Sequence, residues 1–219
     1  MFNCTDTPEI LINKIIELIG KEGNIIVPTF NNKDTEIFDV NNTPSQGGYF
    51  SEVFRNIVGV KRSINIVSSV CAYGPKAEWL TGEHYLSKKT WDEYSPYYKF
   101  YKLGGTVIEI GLFKKISRMT LLHCPTCIEN QKIKFFDEVM KKKIKYKYID
   151  NKGKIHQKVE YTKSDKVKQN IKMLMKYYKG DFKQEKMQNV YFTAIDAKIL
   201  YNKAVELAQK NKFIYQLKK

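Results

Sequence analysis

Long apolar runs are missing from this 219-residue chain. No stretch reaches the roughly 18 to 20 apolar residues that a membrane span requires, so no membrane partner is expected. The opening Met1-Phe2-Asn3-Cys4-Thr5-Asp6 has neither the basic nor the apolar region of a signal peptide, which predicts a cytoplasmic protein. Cysteine is scarce, with four in the chain, and without an export signal these predict reduced thiols rather than a disulfide framework. There is no GxxxxGK[ST] loop and no GxGxxG turn, which argues against the standard nucleotide-hydrolysing and dinucleotide-binding enzymes.

What is present excludes other classes. With 28% charged, 13% aromatic and 42% hydrophobic residues, the chain is neither disordered nor collagenous, and its length suffices to bury a core as one domain, 1–219. The formal charge of +15 is unevenly spread: residues 1–110 hold 11 Lys+Arg against 13 Asp+Glu, residues 111–219 hold 27 against 10. A Lys-rich half, including Lys141-Lys142-Lys143, usually means a solvated surface. It also suits a polyanion such as nucleic acid, an anionic membrane or a phosphorylated ligand.

Thr7-Pro8-Glu9 predicts a helix over about 8–20, since Thr caps free N–H groups, Pro suits the first turn and Glu the positive end. Asn24 to Phe30 is short and β-branched and reads as a buried strand ended by Pro28. Residues 31–48 are polar and read as a long loop. Phe50, Val53, Phe54 and Ile57 follow helical spacing up to Gly59. Ser63–Val70 reads as a strand, Pro75–Leu80 as a short helix and Thr106–Leu112 as a third strand. Such alternation predicts an α/β fold, a three-layer α/β/α arrangement with a mixed sheet. Farther on, Ile144–Ile149 and Lys154–Tyr161 alternate at period two about an Asp150-Asn151-Lys152-Gly153 turn, predicting a basic C-terminal hairpin with one wet face. Helices are expected near 165–178 and 196–210, the second capped by Asp196 with Ile199, Leu200, Ala204 and Leu207 inward.

The three His residues can be weighed one by one. His156 lies among Lys154, Gln157 and Lys158, where a solvated role is expected. His84 sits in the polar Thr81-Gly82-Glu83-His84-Tyr85, with a structural or ligand-contacting role. His123 follows a strand and a polar loop, a common place for catalytic groups in an α/β sheet. The adjacent Cys124-Pro125-Thr126-Cys127 admits a redox pair or half a zinc site. No second pair accompanies it, Cys4 and Cys71 stand alone, and no metal is expected.

A longer constellation is more specific: Phe38-Asp39, Thr43-Pro44-Ser45, Gly47, Glu52-x-x-Arg55, Gly59, Arg62-Ser63, Ser69, Ala72, Gly74 and Ala77, then Thr120-x-x-His123. Val27-Pro28-Thr29-Phe30, His84 with Ser95-Pro96, Ile108-Glu109-Ile110-Gly111 and Asp196-Ala197 extend it over nearly the whole chain. In this order the residues resemble the aminoglycoside 3-N-acetyltransferase family of acetyl-CoA-dependent antibiotic acetyltransferases. The resemblance implies acetyl-CoA as co-substrate, a small-molecule amine acceptor and His123 as catalytic base. It also implies Ser69, Thr120, Arg62 and Ser63 as coenzyme contacts, and Asp39 and His84 as acceptor contacts. The alternative for Thr120, Ser69 and Arg62 is that they serve loop hydrogen bonds only.

Chemically, an ammonium must lose a proton as its nitrogen attacks a thioester, and His is suited to take it near neutral pH. A carboxylate should orient the ring. The family pattern places Glu three residues after the His, where this chain has Thr126, so Glu129 or Glu52 is the expected acid. The family's Arg-Ser-x-His-Pro run is here Arg62-Ser63-Ile64-Asn65-Ile66. The chain is also expected to be short of the family's first strand. Because aminoglycosides are polycations and the second half is basic, a nucleotide-linked amino sugar is the first expected acceptor and an aminoglycoside the second. An inactive basic binding protein is the third reading. Nucleic acid is not expected as a partner, and a homodimer is left open.

Overall fold

The structure is a computed structural model that describes residues 7–31, 35–111, 119–129, 133–187 and 190–218. The first helix follows its capping signal. Thr7 accepts a hydrogen bond from the Ile10 N–H at 3.5 Å, and Gly20, at φ 67°, ends the helix in a conformation that favours glycine.

In chain order the elements are α1 (Pro8–Ile19), β1 (Ile25–Pro28), β2 (Ile37–Asp39), α2 (Tyr49–Arg55), β3 (Lys61–Arg62), β4 (Val70–Tyr73), α3 (Ala77–Thr81), α4 (Pro96–Leu103) and β5 (Thr106–Gly111). They continue with α5 (Cys124–Ile128), α6 (Phe135–Val139), β6 (Lys142–Ile149), β7 (Ile155–Thr162), β8 (Val167–Gln169), α7 (Ile171–Tyr177), β9 (Lys183–Met187), β10 (Val190–Asp196), α8 (Ala197–Gln209) and β11 (Tyr215–Leu217). Short 3-10 turns cover His84–Leu86 and Thr120–His123. The α/β composition is as expected. Among the described residues, however, the strands form four small sheets, β1-β4-β3, β5-β10-β9, β11-β8 and β2-β6-β7, where one mixed sheet was expected.

The chain divides into two compact units. One comprises residues 4–96 and 143–161. There β4 is the central strand of its sheet, antiparallel to both neighbours, so that Cys71 lies opposite Val27 on one side and Arg62 on the other. Ile12, Val27, Phe54 and Cys71 close one apolar cluster beneath α1 and α2. In the other sheet β2 runs parallel to β6, pairing Phe38 with Tyr148, and Phe38, Val40, Ile66, Tyr146 and Tyr148 form a second cluster. The second unit comprises residues 97–142 and 162–219. It buries Leu122, Leu174, Leu200, Ala204 and Tyr215. Its β10 pairs antiparallel with β5 and β9, and β11 with β8.

Several expectations need correction. Residues 63–69 are not a strand, because Asn65 Oδ1 accepts from the N–H groups of Val67 and Ser68 at 3.0 and 2.9 Å and turns the chain. The polar 31–48 segment contains β2, and its residues 32–34 lie outside the described residues, as does the expected end of the third strand at Leu112. The short helix begins at Ala77, not Pro75. The helix expected from 165 starts at Ile171, where Asn170 caps it by accepting from the Met173 N–H at 3.2 Å, and β8 precedes it. Asp196 caps α8 as predicted, but Ile199 is 45% exposed, so the inward stripe is Leu200, Ala204 and Leu207. In β6 the Lys side of the alternation is wet, whereas in β7 Lys158, Glu160 and Thr162 face inward and Ile155, Val159 and Tyr161 face out. Among the described residues, no helix is long and apolar enough to cross a membrane.

Candidate active site

His123 ends the 3-10 turn and directly precedes α5, whose Pro125 suits a first helical turn. Its Nδ1 is hydrogen-bonded to the Tyr215 hydroxyl, and the rings stack with centroids 5.7 Å apart and planes 26° apart. Tyr215 is buried on β11 directly opposite Gln169 of β8, whose side chain acts to lower the phenol pKa against burial. Burial, and then the positive charge of Lys163, lowers the His123 pKa to about 3. Burial pushes the Tyr215 phenol well above its ordinary 10. At neutral pH the pair is therefore an uncharged imidazole against an uncharged phenol.

Thr126, at the position where the resemblance leads one to expect Glu, is fully buried and donates its hydroxyl to the His123 carbonyl at 2.6 Å. It braces the turn. Glu129 follows α5, where its N–H bonds the Pro125 carbonyl and its charge, after burial and Cys124, raises the Tyr201 pKa. Thr120 opens the turn that ends at His123. Cys124, Cys127 and Cys71 are buried. Among the described residues, no group of three or more His, Cys, Asp or Glu is placed to hold a metal ion.

In the other unit the structure brings Asp39, Glu52, Arg55 and Arg62 together around the loop after β1. Arg62 hydrogen-bonds the Thr43 carbonyl, donates to the Thr29 carbonyl at 2.8 Å and to Asn31 Oδ1 at 2.9 Å, and lies 5.0 Å from the Phe38 ring centroid. Desolvation lowers its pKa to about 10, against the pull of Cys71. Among the described residues, its Nε and the Nδ2 of Asn31 are buried donors without a partner. Glu52 is engaged by Arg55 at 2.8 and 2.5 Å and by the Ser45 N–H at 2.6 Å, which hold its carboxyl down to about 2 against the upward push of burial. Burial raises the Asp39 carboxyl, but the Asn42 side chain and the N–H groups of Asn41 and Asn42 outweigh it and leave it lowered.

Ser69 donates to the Thr29 carbonyl at 2.5 Å. Ser63 accepts from the Val70 N–H at 2.9 Å and meets His84 Nδ1 at 2.9 Å. His84 is fully buried, and its Nε2 lies 3.2 Å from the Thr90 carbonyl. A carbonyl can only accept, so His84 carries its proton on Nε2 and Ser63 donates to Nδ1. His156 is half-buried, bonding Asp150 at 2.8 Å and stacking on Tyr148.

The sequence reading missed Tyr215, Gln169 and a buried Glu160. Tyr215 lies 92 residues from His123. No local pattern could pair them. Glu160 is fully buried, bonded by Lys158 at 2.9 Å, Asn65 at 2.9 and 3.2 Å, Thr90 at 3.1 Å and Tyr146 at 3.3 Å. Its signal was a charge pair at the inward phase of β7.

This fold is shared with solved acetyltransferases. It is similar to that of "AAC-IIIb binary with CoASH" at 19% identity, covering 94% of this chain and 85% of that one with a TM-score of 0.75. It is also similar to "AAC-VIa bound to Sisomicin" at 19% identity, covering 94% and 86% with a TM-score of 0.76. A third is the apoenzyme of aminoglycoside acetyltransferase AAC(3)-IVa, at 18% identity, 97% and 79% coverage and a TM-score of 0.71. At these identities the likeness is one of fold. The sequence itself matches the aminoglycoside 3-N-acetyltransferase family over residues 3–209, and the chain belongs to that family. It is an acetyl-CoA-dependent N-acetyltransferase.

Proposed function

We propose that this chain acetylates an amino group of an aminoglycoside, with His123 as the base. The observation that carries this reading is the family match across residues 3–209, which includes His123. It reverses the order of acceptors expected from charge alone, and the sisomicin-bound neighbour supports the reversal. The nucleotide-linked amino sugar is kept as second reading on one observation, the 27 Lys+Arg against 10 Asp+Glu in residues 111–219. The inactive binding protein has no observation of its own in its favour.

His123 takes the proton that the amine nitrogen loses as it bonds to the acetyl carbon, and returns it to the departing sulfur. Thr126 keeps the turn bearing His123 in place through the backbone carbonyl. The unpartnered donors Arg62 Nε and Asn31 Nδ2 suit an acceptor-rich ligand such as the co-substrate, acetyl-CoA, which supplies the activated acetyl group. Ser69 and Ser63 already spend their hydroxyls on Thr29 and His84 and support this region through the scaffold. Asp39 and Thr120 keep their proposed acceptor and coenzyme roles, and Glu129 that of an acid supporting the base, whereas Glu52 is committed to Arg55 and Ser45. Residues 1–219 act as one transferase domain in this reading, and a second copy of the chain is an allowed partner.

The test is a thiol-release assay with acetyl-CoA and a panel containing sisomicin, kanamycin-type drugs and nucleotide-linked amino sugars. Acetylation of the drugs is expected, with His123→Ala lowering kcat by about 10²–10⁴-fold while coenzyme binding persists. Turnover restricted to the nucleotide-linked sugars would restore the original order of acceptors.

A further inference from the structure

An edge strand exposes a row of unpaired N–H and C=O groups, and proteins ordinarily defend such rows with charge, with proline or by covering them. Strand β9, at the edge of its sheet, is defended by charge, since Lys183, Gln184, Glu185 and Lys186 are all exposed. Strand β7 is also an edge, last in the order β2-β6-β7, and is 8 residues long. Its solvent face is uncharged. The Tyr146 hydroxyl bonds Glu160 at 3.3 Å and Tyr148 stacks on His156, so the even-numbered residues of the hairpin share the inward face. The odd-numbered ones face out, and on β7 these are Ile155 (58% exposed), Gln157, Val159 (48%) and Tyr161 (41%). The outward lysines of the hairpin, Lys143, Lys145 and Lys147, stand one strand away on β6, where they leave the edge itself undefended.

The main chain shows which part of that edge is open. Tyr161 donates its N–H to the Lys88 carbonyl at 2.9 Å and its carbonyl accepts from the Thr90 N–H at 3.0 Å, so its backbone groups point away from β6 and are covered by residues 88–90. Alternate residues of a strand direct their backbone groups to the same side, which sends those of Val159, Gln157 and Ile155 off the edge too. Among the described residues, no turn or loop is backbone-bonded to these three.

We propose that this edge is covered by a second copy of the chain, the two β7 strands pairing antiparallel about a two-fold axis at Gln157. In that register Ile155 lies opposite Val159 of the partner subunit, Val159 opposite the partner's Ile155, and Gln157 opposite the partner's Gln157. The strand is thus complementary to itself, as a two-fold contact requires. A slip of two residues one way would set Ile155 against the covered Tyr161, and the other way would set Val159 against Gly153 in the turn, so only this register engages all three open positions. Residues 88–90 and the Asp150–Gly153 turn, which leads back toward β6, bound the ladder at its ends. The paired outer faces are uncharged, and the two β6 lysine rows lie three strand spacings apart, about 14 Å, beyond the screening length of about 8 Å at physiological salt. So short a ladder buries less than the standard interface of about 1,600 Å², which makes the dimer a reversible one.

The experiment uses the full chain in a Cys4→Ser background, where the native thiols Cys71, Cys124 and Cys127 are buried. Sedimentation equilibrium over a concentration series should show the mass rising from 25.7 kDa toward twice that value. Ile155→Lys and Val159→Lys, both at exposed positions, should hold the chain at the monomer mass while leaving its urea midpoint in place. Under mild oxidation Gln157→Cys should cross-link to itself, because directly opposed residues have Cα atoms about 5.5 Å apart, within disulfide range. Ile155→Cys alone should not, since four residues of strand, about 14 Å, separate it from the partner's Ile155, whereas mixed with Val159→Cys it should. A chain that stays monomeric, a dimer that survives both lysine variants, or cross-linking of Ile155→Cys as efficient as that of Gln157→Cys overturns the proposal. A monomer whose Ile155 and Val159 amides gain hydrogen-exchange protection only on addition of polyglutamate also overturns it, and assigns this edge and the adjacent lysines to an acidic polypeptide.

Discussion

His84, buried in one unit, and His123, partly buried in the other, are held in different ways. His84 is gripped at both nitrogens, by the Ser63 hydroxyl and the Thr90 carbonyl, and lies next to a buried ionic network in which Lys158 bonds both Glu160 and the His84 carbonyl at 3.2 Å. Its partners dictate its tautomer, and its role is to fasten the 3-10 turn to the sheet. His123 is held at Nδ1 by a neutral hydroxyl and stacked on the same ring. The contrast teaches that burial alone does not identify a working histidine. What the partners leave chemically undecided is more informative.

The largest effect is expected where that contrast is broken from the structural side. Glu160→Ala strands the Lys158 ammonium and removes the acceptor for Asn65, Thr90 and Tyr146, so urea unfolding should show a loss of about 3–5 kcal/mol. A loss below about 1 kcal/mol would mean that water readily replaces the carboxylate.

A second test separates the two sites by pH. The His123 pKa is about 3 in the folded chain, against an ordinary 6.5 once unfolded. Between these values the unfolded state binds the extra proton, so the contribution of this group to stability is intact above pH 6.5 and is lost as pH falls toward 3. The slope is at most one proton, ~1.4 kcal/mol per pH unit. Urea midpoints measured from pH 7 down to 4 should fall less steeply for His123→Gln than for the native chain. Equal slopes would remove the assigned cause.

The smallest effect is expected at Ser63→Ala. It removes the hydroxyl from His84 Nδ1 and from the Val70 N–H, and should cost about 1–2 kcal/mol in urea unfolding while leaving the His123 tautomer unchanged. A shift in that tautomer would show the two histidines to be coupled, against the independence assumed in comparing them.

Much of the local architecture was legible because its causes are local. Thr7-Pro8, Asn24–Pro28 and Asp196 each act within one turn or one strand, and α1, β1 and α8 appear where those signals place them. The supposed strand at 63–70 failed for an equally local reason, since β-branched residues drew attention from the Asn65 side chain that folds the backbone over. Helix α4 and strands β9, β10 and β11 were passed over. Lys183–Met187 is exposed at all five positions and carries no alternation of burial, because β9 gains its definition from hydrogen bonds to β10. The candidate site was legible as a list: His123, Arg62, Ser63 and Ser69 were all singled out. Which of them touch ligand and which hold one another was not, because hydroxyls and carboxylates of the same types serve both ends.

By itself the sequence determined the family and the helices with strong caps, since ordered motifs and i-to-i+4 spacing are properties of the chain. It also carried the uneven charge, although not its meaning for the acceptor. Only the tertiary structure decided that Glu52 is committed to Arg55 and Ser45, that Thr126 braces a carbonyl and that Tyr215 stands at the ring of His123. Those pairings join residues as far as 92 positions apart. They come from strand register and burial, which place polar groups where each needs a partner and leave few choices of which partner it can be.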